Sequence, residues 1–160
     1  MPGMSIDRMR YSAENCSIAR TLEIVGEKWT LLILRESFYG LRRFEDLQSA
    51  VGCARNVLSA RLAKLVDEGI LERRPYREPG SRERHEYVLS EKGIDLFPTV
   101  IALLQWGDRW QVDPEGPSVE VRHRQCGERV RAVLKCDSGH EHLTARDTYA
   151  EPGPGARLAA

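Results

Sequence analysis

The hydrophobic pattern of this chain changes period at Gly69, and this change limits the folds available to it. Before Gly69, apolar residues recur every three or four positions, the spacing of helices that pack against a core. From Ile70 the pattern alternates, a turn signal follows at Pro79-Gly80, and alternation returns up to Leu89. The sequence therefore predicts a mainly α fold with one small β-hairpin.

Four helices are predicted before the hairpin and one after it. The earlier four cover residues 16–25, 28–37, 44–50 and 55–68. The second is apolar on most sides, which indicates burial, and the fourth carries Leu58, Leu62 and Leu65 on one stripe. Ser90 is the predicted N-cap of the last helix, which runs to about residue 110. Pro98 should either kink this helix or mark its true start.

This order of elements is that of a winged helix-turn-helix, in which the fourth helix enters the major groove of DNA and the hairpin lies over the backbone. On that helix Asn56, Ala60 and Ala63 lie opposite the leucine stripe, flanked by Ser59 and Lys64. Small side chains permit close approach, and Asn and Ser can hydrogen-bond to bases or phosphates. The alternative is an ordinary solvated helix face.

Two basic segments favour the DNA interpretation. Residues 41–64 and residues 73–84 each hold five basic and two acidic side chains, a local charge of +3. Arginine suits phosphate because its planar fork donates two hydrogen bonds. The predicted DNA-contacting residues are Arg42, Arg43, Arg55, Asn56, Ser59, Ala60, Arg61, Lys64, Arg77, Arg82 and Arg84.

The net charge of the whole chain is zero, from 24 basic and 24 acidic residues. DNA-binding proteins usually carry a basic excess, so this total argues against DNA at first sight. The basic residues are nevertheless concentrated where a winged helix meets the duplex. Neutrality then predicts modest non-specific binding and a dimer that places two basic surfaces on one duplex.

The domain organisation follows from composition. The segment DPEGP at 113–117 cannot be helical and marks a boundary. We predict a flexible arm at 1–13, the winged helix at 14–112, a small β-rich extension at 118–150 with a strand at 130–134, and a disordered tail at 151–160. No apolar run approaches the roughly 20 residues of a membrane span. With no signal peptide visible, a cytoplasmic protein with reduced cysteines is expected.

Several separated motifs resemble those of HxlR-type transcriptional regulators, relatives of the MarR group. They are CSIARTL at 16–22, GEKWTLLILR at 26–35, RFEDL at 43–47, VLSARL at 57–62, GILER at 69–73 and YVLSEKG at 87–93. The resemblance implies a bacterial homodimer that binds an inverted repeat near promoters, here expected to be a repressor. It also implies that the first helix and the long last helix form the dimer.

Two positions depart from the family pattern. Ser17 follows Cys16 where the family often has proline, and Ala54-Arg55 stands where the recognition helix often starts with Ser-Pro. Loss of the serine cap costs about 1 kcal/mol of local helix stability. The additional cation at the groove predicts a base preference unlike that of other members.

Cys16 is similar in position to the cysteine with which redox-sensing members detect oxidants or electrophiles such as quinones. A thiolate is favoured at a helix start and near a cation, here Arg20. The alternative is a small residue that packs at the dimer contact. Cys53, in the turn ahead of the recognition helix, is interpreted as packing, and a role in reporting oxidation is the alternative there. Regulation by a small molecule, or none at all, also stays open. Trp29, Trp106 and Trp110 could line an aromatic effector pocket, although core and dimer packing is the expected role.

The extension contains His123, Cys126, Cys136 and His140, a spacing suggestive of tetrahedral zinc. Gly139 stands where a second knuckle cysteine is expected, so we predict no cofactor and keep these four residues as candidate ligands. In a β-rich extension without metal, Cys126 and Cys136 are expected to be neighbours across a hairpin.

The sequence gives little support to two other classes of function. A redox or metal-dependent enzyme is not supported, because the sequence shows no Ser/His/Asp order, phosphate loop or acid pair. A protein-binding winged helix is disfavoured by the two basic segments. The sequence therefore predicts a DNA-binding protein that is not an enzyme, and it identifies no effector.

Overall fold

The computed structural model describes residues 7–159. After a 3-10 turn at Arg8–Arg10, the helices and strands are α1 Ser17–Val25, α2 Lys28–Phe38, α3 Phe44–Val51, α4 Arg55–Asp67, β1 Leu71–Tyr76, β2 Arg84–Leu89, α5 Glu91–Ile94 and α6 Phe97–Trp110. This is the winged helix-turn-helix order predicted from the sequence. No helix among residues 7–159 is long and apolar enough to cross a membrane.

The core lies where α2, α3 and α4 meet the first strand of the hairpin. Its fully buried side chains come from all four elements: Ile33, Leu34, Leu47, Leu58, Leu62, Leu65 and Leu71. Burying one such side chain contributes about 2 kcal/mol. The predicted leucine stripe of α4 therefore fixes which face of that helix points to solvent.

The turn between α3 and α4 sets the angle of the fourth helix. Gly52 ends α3 with a φ of 73°, a left-handed conformation that glycine adopts without strain. Cys53 follows in the buried core, as its packing interpretation predicted. Ala54 is the N-cap of α4 and makes no side-chain capping hydrogen bond, in agreement with the predicted loss of a serine cap.

The hairpin is antiparallel, with Leu71 paired to Leu89 at its base and Tyr76 to Arg84 near its tip. A short third segment adds to it, because Arg43 forms a bridge with Glu86 and the amide of Tyr87 donates to the carbonyl of Arg42. The β1–β2 hairpin, which is the wing of this fold, is thereby joined to the start of α3.

The single long helix predicted after Ser90 is divided into two helices, α5 and α6. The Ser90 hydroxyl caps α5 by accepting a hydrogen bond from the Gly93 amide, as predicted. Pro98 lies in the first turn of α6, where its missing N–H breaks no helical hydrogen bond. Of the two roles open to Pro98, the structure shows the start of the helix.

The chain divides into two compact units, residues 21–120 and, within the described range, 7–20 together with 121–159. These limits differ from the predicted boundaries at 14–112 and 118–150. In the second unit, the predicted flexible arm and disordered tail pair with each other. Tyr11 bridges Leu158, and the Ser12 amide donates to the Arg157 carbonyl. Composition could not predict this pairing, because it joins the two ends of the chain; residues 1–6 and 160 lie outside the described range.

The extension contains less β structure than predicted. The strand expected at 130–134 is not formed, and two isolated bridges join Arg122 to Arg129 and Lys135 to Glu141. No side chain at 121–150 is buried, although every one of these residues is described. The alternating apolar residues there have no partner layer to pack against, which explains the missing strand.

Candidate nucleic-acid interface

The outward face of α4 carries the predicted reading residues. Arg55, Asn56, Ser59 and Ala60 are exposed, while the leucines on the opposite face are buried. The face is shallow, since its central side chains are short. A flat polar helix face of this kind permits close approach to base edges.

Arg55 is positioned by its neighbours on α3. Its guanidinium lies 4.5 Å from the ring centroid of Phe44, and Nη1 lies 3.4 Å from Oε1 of Gln48. The adjacent first turn of α4 has no side-chain cap at Ala54. Unpaired amides at a helix N-terminus attract anions, so Arg55 and this turn offer one phosphate-sized contact.

Two of the residues predicted to contact DNA have partners within the chain. Arg61 is half-buried and ion-paired with Glu27, and the Nζ of Lys64 donates to the backbone carbonyl of Glu23. Lys64 therefore joins α4 to the end of α1, and Arg61 joins it to the residue that precedes α2. Sequence periodicity placed them beside the reading face but could not show these partners, which lie 34 and 41 residues earlier in the chain.

The wing presents the remaining arginines. Arg82 and Arg84 are exposed at its tip, and Arg77 holds the tip turn by donating from Nε to the carbonyl of Ser81 at 2.9 Å. Arg43 forms a 2.8 Å ion pair with Glu78. The Glu78 carboxylate raises the pKa of Arg43 above its ordinary value.

Arg43 also lies 4.7 Å from the ring centroid of Tyr76, so it links the start of α3 to the wing. The neighbouring Arg42 is exposed, and its backbone carbonyl accepts a hydrogen bond from the amide of Tyr87. The structure thus separates the two neighbours: Arg43 is engaged within the chain, and Arg42 faces solvent.

A polar cleft of about 420 Å³ lies between the start of α4 and the wing. It is lined by four arginines and two glutamates, among other residues: Arg55, Arg73, Arg82, Arg84, Glu45 and Glu83. These side chains give the cleft a net positive lining.

Arg73 and His85 belong to this cleft but were not among the predicted site residues. Nη2 of Arg73 lies 3.4 Å from Nδ1 of His85. Strand alternation alone does not show that they meet. The pairing register, Arg73 with Tyr87 and Pro75 with His85, is the signal that brings them to the same side of the hairpin.

Comparison with known proteins decides the family. The model of the HxlR-like helix-turn-helix family matches residues 24–115, more than half of the chain. The chain belongs to the HxlR-like helix-turn-helix family. This HxlR-like protein is therefore a DNA-binding transcription regulator and not an enzyme.

Its relatives agree. An uncharacterised HTH-type transcriptional regulator of Mycobacterium tuberculosis strain H37Rv is 47% identical over 158 residues, covering 98% of this chain and 99% of that protein. The solved structure of PA1607, named as a candidate transcription factor, has a TM-score of 0.77 at 35% identity and covers 88% of this chain and 96% of that one. The oxidised form of the redox regulator HypR has a TM-score of 0.55 at 26% identity, covering 61% and 100%.

Cys16 precedes α1, and its carbonyl accepts a hydrogen bond from the Arg20 amide. The side chain is half-buried in a cleft of about 340 Å³, lined by the N-terminal arm and the C-terminal tail of the same unit. All four cysteines are free thiols. Cys16 is thus not a core residue within one chain.

The three tryptophans do not form one pocket. Trp29 packs against the core, whereas the side chains of Trp106 and Trp110 are 59% and 60% exposed. A separate apolar cavity of about 210 Å³ lies between α2 and α6, with Phe38 and Phe97 in its wall. The sequence missed this cavity because its lining residues come from helices 60 residues apart.

The four candidate metal ligands form two pairs. Nδ1 of His123 lies 3.2 Å from Sγ of Cys126, and Sγ of Cys136 lies 3.2 Å from Nδ1 of His140. The two cysteines therefore belong to separate loops rather than facing each other across one hairpin. Within residues 7–159, no three His, Cys, Asp or Glu side chains are gathered closely enough to hold a metal ion.

Proposed function

We propose that this HxlR-like regulator binds an inverted-repeat operator as a homodimer and represses transcription there. The arginine-lined cleft between α4 and the wing carries the proposal, because it joins the reading face to a phosphate-binding surface. Asn56 and Ser59 are assigned to base edges, and Ala60 permits close approach. Arg55, Arg82 and Arg84 are assigned to phosphates.

The proposed dimer is supported by apolar side chains left exposed on two helices. Leu103, Trp106 and Trp110 follow one another at spacings of three and four along α6, and Leu22 is exposed on α1. A contiguous apolar stripe of this kind marks an interaction surface. These are the two helices expected to form the dimer.

We also propose that oxidants control DNA binding through Cys16. The position of the half-buried thiol immediately before α1 supports this, as does the likeness to HypR, which is named a redox regulator. The apolar cavity between α2 and α6 supports a second candidate, regulation by a small apolar molecule. The two are distinguished by whether Cys16→Ser abolishes the response.

The test is a mobility-shift assay with DNA upstream of the gene itself and of its neighbours, using reduced and oxidised protein at moderate salt. The expected result is a sequence-dependent shift by reduced protein that weakens on oxidation. Cys16→Ser should bind equally well under both conditions. Absence of any sequence-dependent shift in either state would contradict the DNA proposal. An unchanged shift on oxidation would contradict only the redox proposal.

A further inference from the structure

Two loops of the extension each hold a cysteine sulfur 3.2 Å from a histidine nitrogen. Sulfur and nitrogen ligands at their usual distances from a tetrahedral zinc ion are about 3.5 Å apart. Each pair, His123 with Cys126 and Cys136 with His140, therefore already has nearly the spacing of two adjacent zinc ligands.

The two loops are built alike. Each is closed by one isolated bridge, and each has a glycine at positive φ, Gly127 at 74° and Gly139 at 90°. The Gly127 amide donates to the His123 carbonyl, and the Gly139 amide donates to the Cys136 carbonyl, both at 2.9 Å. These tight turns bring the ligand pairs together, and a side chain at either glycine would strain them.

The extension lacks the usual source of stability for such turns. No side chain at 121–150 is buried, and Leu134 and Tyr149 are mostly exposed. Segments this small seldom hold a fixed fold by apolar burial and commonly depend on a disulfide or a structural metal. Since all four cysteines are free, a disulfide does not serve here.

We propose that His123, Cys126, Cys136 and His140 bind one zinc ion that joins the two loops. As arranged, the pairs are half-sites, in keeping with the absence of a larger ligand group among residues 7–159. The link from Arg129 to Lys135 spans at most about 20 Å. A link of this length allows the chain to reverse between the loops, and the proposal requires this reversal to bring the four ligands together.

The site is structural in kind. Four protein ligands complete a tetrahedral shell and leave no position for substrate. On binding, the Cys126 and Cys136 thiols each release a proton and the imidazoles coordinate in their neutral form, so no electron is transferred. The proposal does not rest on DNA binding, which is assigned to residues of the other unit.

The experiment measures zinc bound to the full chain, purified from zinc-supplemented cells and dialysed against metal-free buffer. We expect about one zinc per chain by elemental analysis. After replacement by Co²⁺, we expect the visible and charge-transfer absorption of a tetrahedral site with two thiolates. Cys126→Ser and Cys136→Ser should each lower metal affinity at least tenfold.

Matched controls lie close by. His142→Asn removes a histidine outside both pairs, and Asn tolerates the positive φ of 59° found there. Cys53→Ser removes a thiol in the core of the other unit, residues 21–120. Both should keep the metal. Equal zinc in wild type and in the double variant C126S/C136S would overturn the proposal.

A measurement on the wild type keeps the test decisive if the serine variants fail to fold. Chelation should accelerate proteolytic cleavage within 121–150 while leaving 21–120 protected. Folded wild-type protein that takes up neither zinc nor Co²⁺ with thiolate absorption would also overturn the proposal. DNA binding, measured in parallel, reports separately on the proposed function.

Discussion

Arg61 of α4 is ion-paired with Glu27, the residue that immediately precedes α2. The pair joins the recognition helix to the buried helix beneath it, and the Nε of Arg61 is buried without a hydrogen-bond partner of its own. A side chain held in this way fixes the orientation of α4 relative to the start of α2.

Replacing Glu27 by Gln should therefore weaken the fold more than it weakens recognition. Removing the charge leaves the half-buried guanidinium of Arg61 uncompensated, and we expect a loss of about 1 kcal/mol in the free energy of unfolding. Urea denaturation measures this loss. Glu128→Gln, a similar charge change in the extension, is the control and should have little effect. An unchanged urea midpoint in Glu27→Gln would show that the pair does not brace α4.

Arg82→Ala and Asn56→Ala should have different effects on DNA binding. Arg82 is expected to contact phosphate, so its loss weakens binding to all sequences and lowers the salt slope by about one. Asn56 is expected to read bases, so its loss changes sequence preference at one position by about 1–3 kcal/mol. Fluorescence anisotropy with operator and single-base variants measures both. Arg131→Ala, in the extension, is the matched control and should bind like wild type. Equal weakening on all sequences by Asn56→Ala would refute its reading role.

Trp106→Glu should dissociate the dimer. The charge would fall in the middle of the exposed apolar stripe of α6, where its desolvation opposes association. Light scattering should report a monomer for this variant and a dimer for wild type. Tyr149→Glu, an equally drastic change at another exposed aromatic side chain, should leave the mass unchanged. A dimeric Trp106→Glu variant would place the interface elsewhere.

Ala54→Ser should stabilise the recognition helix. The serine hydroxyl can accept a hydrogen bond from an amide in the first turn of α4, which now has no side-chain cap. We expect a gain of about 1 kcal/mol in unfolding free energy. Ala50→Ser, exposed in the last turn of α3, supplies the same hydroxyl where it caps no amide. A gain shared by both variants would not come from capping.

Removal of residues 151–160 should increase the reactivity of Cys16. The tail lines the cleft that holds this thiol, and the side-chain Nδ2 of Asn15 donates to the backbone carbonyl of Gly155 at 3.2 Å. Alkylation under reducing conditions, followed by mass spectrometry, should label Cys16 several-fold faster in the truncated chain. The buried Cys53 is the internal standard and should stay slow in both. Equal rates at Cys16 would show that the tail does not cover it.

The fold of residues 21–120 was predicted well, because the sequence patterns that define its helices and turns are local. The leucine stripe of α4, the Gly52 turn and the Ser90 cap each depend on residues within a few positions of one another. The helix bounds accordingly agree to within one residue at each end for α1 to α4. The fold of the DNA-facing surface follows from these elements.

Long-range partners were beyond sequence reasoning. The Arg61–Glu27 pair, the Arg73–His85 contact and the pairing of Tyr11 with Leu158 join residues 34, 12 and 147 positions apart. Charge counting and helix periodicity assigned Arg43, Arg61 and Arg77 to DNA together with the other predicted contacts. The structure instead shows that some are engaged within the chain, a distinction set by tertiary packing rather than by local pattern.

The central claim is that two copies of the chain read one inverted repeat through α4 and the wing. Footprinting on the bound upstream DNA tests it most directly, combined with the mass of the complex. The account predicts two chains per duplex and two protected half-sites whose centres are about 34–36 Å apart, or a multiple of that distance. One chain per duplex, or protection that persists unchanged on a scrambled sequence, would contradict it.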